Sequence, residues 1–137
     1  MLVAVRSGLT AICVLVLAVG GCASVDDRGR AAAEVAITMF GALAGEDGSA
    51  ACGVLAPETR SEVEQAHDDE PCARAILDED LPEPGRVTGT DVYGQWAQVR
   101  FSGDTVFLAV FPDGWRVVAA GCEARADRPY DCAIQGG

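Results

Sequence analysis

The chain contains no lysine: all ten basic residues are arginine, set against 21 acidic ones, for a formal charge of −11. A balance this negative excludes the basic stripe that nucleic acid requires and gives no direct attraction to anionic lipid. There is one histidine, His67. There is no G-x-S-x-G elbow, no glycine-rich loop between a strand and a helix, and no C-x2-C pair. Those absences exclude, in turn, a nucleophile on a strained turn, a phosphate cradle and the close ligand pairs of a zinc site. No internal repeat is visible, and past residue 22 nothing approaches the roughly 20 apolar residues that span a bilayer.

The amino end carries a targeting pattern. Arg6 supplies a short positive region, and residues 9–19 (Leu-Thr-Ala-Ile-Cys-Val-Leu-Val-Leu-Ala-Val) form an uncharged apolar run of signal-peptide length. Arg6 on one side and Asp26-Asp27 on the other leave it short for a spanning helix. Within it, Cys13 acts as a small hydrophobe. The run ends in Val19-Gly20-Gly21-Cys22, which resembles the lipobox of bacterial lipoproteins: an aliphatic residue, two small residues, then cysteine. Small side chains let an extended backbone enter a peptidase. The resemblance implies cleavage before Cys22 and a diacylglyceryl group on its thiol, hence attachment to the extracytoplasmic face of the cell membrane. Each buried acyl methylene would contribute about 0.8 kcal/mol. A soluble secreted protein is the alternative, since an ordinary signal also needs small residues at its cleavage site.

The expected organisation is a leader over 1–21, a tether over 22–30, a folded domain over 31–121 and a disulfide-closed tail over 122–137. Removing the leader leaves 116 of the 137 residues, a single-domain length able to bury one core. Arg6 leaves with it, taking the formal charge from −11 to −12.

Apart from Cys13 and Cys22, four cysteines remain: Cys52, Cys72, Cys122 and Cys132. An even number in a short exported domain implies two disulfides, with three connectivities open. The local pairing Cys52–Cys72 and Cys122–Cys132 is expected, because each closes a short loop containing proline or glycine.

Between residues 30 and 44, Ala36, Met39, Phe40 and Leu43 recur at helical spacing, with Gly45 as a stop. Ser49 can cap a second short helix with Cys52, Val54 and Leu55. Pro57 fits the first turn of a third, and residues 72–77 make another turn or two. From residue 87 the period becomes two. Strands are expected at 87–93, 96–101, 105–111 and 115–120, separated by Gly94-Gln95, Ser102-Gly103-Asp104 and Pro112-Asp113-Gly114. The third is continuously apolar, as in a strand covered on both faces. Short turns make this an antiparallel meander, and helices followed by strands make the chain α+β.

Helices followed by a meander whose last strand opens Asp113-Gly114-Trp115-Arg116-Val117 resemble the NTF2-like (SnoaL-like) family, over roughly residues 28–121. The resemblance implies a cone: N-terminal helices packed on a curved antiparallel sheet of about four strands, with a pocket between them. The block 104–122, followed by Arg128-Pro129-Tyr130-Asp131-Cys132, also resembles small lipoproteins of high-GC Gram-positive bacteria. The fold hosts enzymes, binding modules and interaction domains alike, so it implies no reaction.

Few residues offer chemistry. His67 stands beside Asp68, Asp69 and Glu70 in a loop, where a solvated residue with no orienting partner is expected. Family enzymes place a His–Asp or Tyr–Asp pair in the pocket; here no histidine falls on the strands or on the first helix. The runs 68–70 and 78–80 lack the spaced oxygens and turn glycine of a calcium loop and read as a solvated acidic face. Tyr93, Trp96, Arg100, Phe107 and Trp115 lie on or beside the sheet, where a subset could line the concave face for an apolar or anionic ligand; ordinary core is the alternative. The expectation is a non-enzymatic, lipid-anchored module of the cell envelope. It would bind a small ligand or an envelope protein and use no catalytic residue, metal or cofactor. A small hydrolase or isomerase with an acidic pocket, and a structural lipoprotein with a filled core, are the alternatives.

Overall fold

The computed structural model describes residues 24–137. Cys22, Cys13 and the leader lie outside the described residues. Helix α1 (Val25–Ala44) starts at once, because Ser24 and Asp27 form a capping box: the Ser24 hydroxyl accepts from Asp27 N–H and the Asp27 carboxylate accepts from Ser24 N–H. The tether expected over 22–30 is therefore helical from Val25 onward. The helix buries Ala32, Ala36, Met39 and Phe40 and stops at Gly45, while Leu43 is only half-buried.

Helix α2 (Gly48–Gly53) is capped by Asp47, whose carboxylate accepts from Ala50 N–H at 2.9 Å, and not by Ser49 as expected. Aspartate one residue before the helix competes better for the free N–H groups than a serine already inside it. Pro57 opens α3 (Pro57–Ala66), and α4 (Cys72–Ala75) runs into a single 3-10 turn, Ile76–Asp78. The Cys52–Cys72 disulfide, fully buried, staples α2 to α4. No helix among the described residues is long and apolar enough to cross a membrane.

The sheet is one antiparallel meander, β1 (Val87–Tyr93), β2 (Trp96–Phe101), β3 (Thr105–Phe111), β4 (Gly114–Arg125) and β5 (Arg128–Gln135), in that spatial order. It has five strands where four were expected. The expected tail over 122–137 is the end of β4 and the whole of β5, which hydrogen-bonds along β4 and sends Ile134 into the core. Cys122–Cys132 joins these two strands. Two disulfides in a chain of this size mark an oxidising, extracytoplasmic compartment.

The inner face of the sheet presents Ala97, Val99, Phe101, Val106, Leu108 and Val117 to α1. Phe40 meets Phe101 edge-on at 5.3 Å between ring centres. This space is filled by side chains. Residues 54–56 run beside the first half of β4, past the point where β5 ends, with Ala56 N–H donating to Val117 O and Val117 N–H to Val54 O. They cover backbone groups that would otherwise form an open edge.

Asp104 locks the far end of the sheet. It is nearly buried, and its carboxylate accepts from the backbone N–H groups of Thr105 at 2.7 Å, Gly121 at 3.0 Å and Cys122 at 3.0 Å. Gly121 lies at φ +65°, and a Cβ there would stand 2.7 Å from Ala133 Cβ, so only glycine fits. Burial pushes the Asp104 carboxyl above the ordinary aspartate range, and the three N–H groups pull it back in part.

Candidate functional site

The five aromatic and arginine candidates do not share one pocket. β2 pairs Trp96 with Ala109 and Gln98 with Phe107, so Trp96, Gln98, Phe107 and Ala109 lie on the outer face of the sheet, away from α1. Arg100 is on the same face and is ion-paired to Asp91 across the β1–β2 ladder. Trp115 is opposite Val110 on the inner side, half-buried against the core, with the Arg28 guanidinium 5.5 Å from its ring centre. Tyr93 faces solvent beside the β1–β2 turn. The alternation in β2 separates Trp96 and Arg100 from the inward Ala97, Val99 and Phe101, and so the expected concave pocket does not form from these residues.

The outer face holds a cleft instead. It encloses about 630 Å³ and is floored by Phe107, Ala109 and Ala119, with Trp96 at one rim and Tyr130 and Gln135 from β5 at the other. Tyr130 packs edge-on against Phe107, ring centres 4.9 Å apart, and its hydroxyl accepts from the Gln98 amide at 3.0 Å. Ala56, Glu58 and Thr59 at the start of α3 close a third side, and the Thr59 hydroxyl donates to Val118 O at 3.0 Å. The continuously apolar β3 is thus buried at Val106 and Leu108 on its inner face and covered only in part, by Tyr130 and its neighbours, on the other. Among the described residues that line this cleft there is no arginine. It can take apolar surface with a few hydrogen bonds at its rim.

Tyr130 is the residue the sequence reading missed. It lay in a segment read as a tail, although Tyr130, Cys132 and Ile134 alternate with Asp131 and Ala133 as in a strand.

His67 differs from expectation. It ends α3, and its Nε2 stands 3.2 Å from Glu79 Oε1, both side chains mostly buried. The carboxylate comes from the second acidic run, beyond the Cys72 helix, so its approach depends on the Cys52–Cys72 staple and was invisible as a local pattern. Glu79 borders a second cleft of about 580 Å³ between the C-terminal half of α1 and residues 76–87; His67 does not line it. In the other acidic run, Glu70 pairs with Arg74, while Asp68 and Asp69 turn the chain at φ 54° and 61°. Among the described residues no group of three or more His, Cys, Asp or Glu side chains could hold a metal ion.

No family model, curated protein or solved structure matches the chain. What the molecule does must be read from these clefts and from its own surface.

Proposed function

We propose that the protein is an extracytoplasmic lipoprotein, held to the cell membrane by lipid on Cys22, and that it works as a non-enzymatic binding module for an apolar ligand. The observation that carries the binding reading is the outer cleft, where Trp96, Phe107, Ala109 and Tyr130 surround about 630 Å³ with few polar groups. Pockets of this size and lining suit small apolar molecules. The lipobox pattern and the two disulfides support the destination. We read the fold as an NTF2-like cone, supported by the order of helices and meander; its interior, however, is packed, and binding passes to the opposite face.

The test is fluorescence titration of the mature domain with N-phenyl-1-naphthylamine, an uncharged apolar probe. One saturable site is expected, weakened about tenfold in Tyr130→Ala, a loss of about 1.4 kcal/mol. Ala109→Phe, which fills the floor, should also abolish binding. Unsaturable binding, or binding indifferent to both substitutions, would remove the cleft from consideration.

The His67–Glu79 pair favours a second reading, a small hydrolase or isomerase working in the cleft beside Glu79. General acid–base catalysis needs the base within reach of substrate, and only the carboxylate of this pair borders that cleft. The binding reading is the better supported.

A further inference from the structure

Six large hydrophobic side chains are exposed among the described residues, and four of them, Val25, Tyr93, Trp96 and Val110, gather at one pole. Tyr93 and Trp96 are paired across the β1–β2 turn at 62% and 57% exposure. Val110 joins them because its N–H donates to Gln95 O at 2.9 Å. The first turn of α1, with Val25, is fixed to the same turn, since Arg28 donates to Gly94 O and lies over Trp115.

Ser24, the first described residue, begins the chain at this pole. Only Ala23 separates Cys22 from the helix cap Ser24, two steps of extended chain and at most about 7 Å. A lipid on that cysteine leaves no room for the domain to stand off the bilayer. Tyrosine and tryptophan exposed beside it match the side chains that settle at the headgroup level, with an apolar body and a polar tip.

Charge agrees. At the pole, Asp27 pairs with Arg30 and Asp113 with Arg116. Asp26 and Arg28 in the first turn of α1 offset one another. The mature chain carries −12, so its acidic surplus lies away from this end. Anionic lipid would repel most of the surface but not this part of it.

We propose that the pole formed by the first turn of α1 and the β1–β2 turn seats against the bilayer, with Trp96 and Tyr93 in the headgroup layer, so that the lipid anchor fixes an orientation as well as a location. This rests on the lipid-anchor reading above. It places the Trp96 rim of the outer cleft at the membrane and the cleft beside Glu79 away from it.

The test uses the full-length lipidated protein in phosphatidylcholine–phosphatidylglycerol vesicles containing brominated lipid. The chain has two tryptophans, so Trp115→Phe leaves Trp96 as the reporter. Loss of most of its emission is expected, with a blue shift, and the difference between wild type and Trp96→Phe gives the same signal without touching Trp115. A reporter at the opposite end, Leu77→Trp with Trp96→Phe and Trp115→Phe, should stay unquenched. If the amino-terminal peptide carries lipid and Trp96 remains unquenched, or Leu77→Trp is quenched equally, the orientation is wrong and the anchor stands. An unmodified Cys22 would overturn both.

Discussion

Asp104→Ala is expected to cost roughly 3 kcal/mol of folding stability, since buried donors left without an acceptor cost about 1–3 kcal/mol each and three of them meet at this carboxylate. On the scale of a small domain, whose whole stability is about 5–15 kcal/mol, that is a large fraction. The effect should appear as a lower urea midpoint at unchanged slope. Asp104→Asn should lose less, because one oxygen still accepts from Thr105 and Cys122; its amide meets Gly121 N–H as donor against donor. The pH dependence has a definite sign. Burial raises the folded pKa above the unfolded one, so the carboxyl contributes fully below the unfolded value, and that contribution falls as pH rises through the folded pKa. A neutral asparagine escapes this loss, and its deficit relative to wild type should shrink as pH rises out of the acid range. A deficit that grows instead would mean the three N–H groups outweigh burial. An alanine variant as stable as wild type would remove Asp104 as the lock between the β2–β3 turn and β4.

The paired substitution Cys52→Ala with Cys72→Ala is expected to cost about 3 kcal/mol, from a separation of 20 residues and the chain-entropy relation. The paired loss of Cys122 and Cys132 should cost less. Its separation is 10 residues, and the β4–β5 ladder already holds the strands together. Loss of the first pair has a second consequence. α4 carries the chain from the staple towards Glu79, and freeing it should release the His67–Glu79 contact as well. Non-reducing urea melts of the two double variants compare the staples directly. Equal midpoints would show that loop length and burial do not set their ranking.

The sequence made the helices and first four strands legible because their signals are local. Ala36, Met39 and Phe40 keep the 3.6 period, Ala97, Val99 and Phe101 keep the period of two, and glycine or proline marks each turn. The cysteine pairing followed from short loops. What failed depended on partners far along the chain. β5 is half polar and its alternation is short, so Tyr130 and the wall it builds beside β4 went unseen. The same gap hid which face of the sheet is open: a pocket in the cone was expected, yet Met39 and Phe40 fill the inner side and leave the outer side to Trp96 and Phe107. His67 found an orienting carboxylate twelve residues away, across a disulfide-held corner that no local pattern describes. Ser49 lost the cap to Asp47 by two positions, the usual scale of error at a helix start.

Everything proposed about location and orientation depends on the chemistry of one thiol. Mass spectrometry of the amino-terminal peptide, taken from protein extracted from its native membrane, reads that chemistry directly. The expected peptide begins at Cys22 and carries a diacylglyceryl group, with residues 1–21 gone. A peptide that retains those residues, or one that begins at Cys22 with a free thiol, would contradict it.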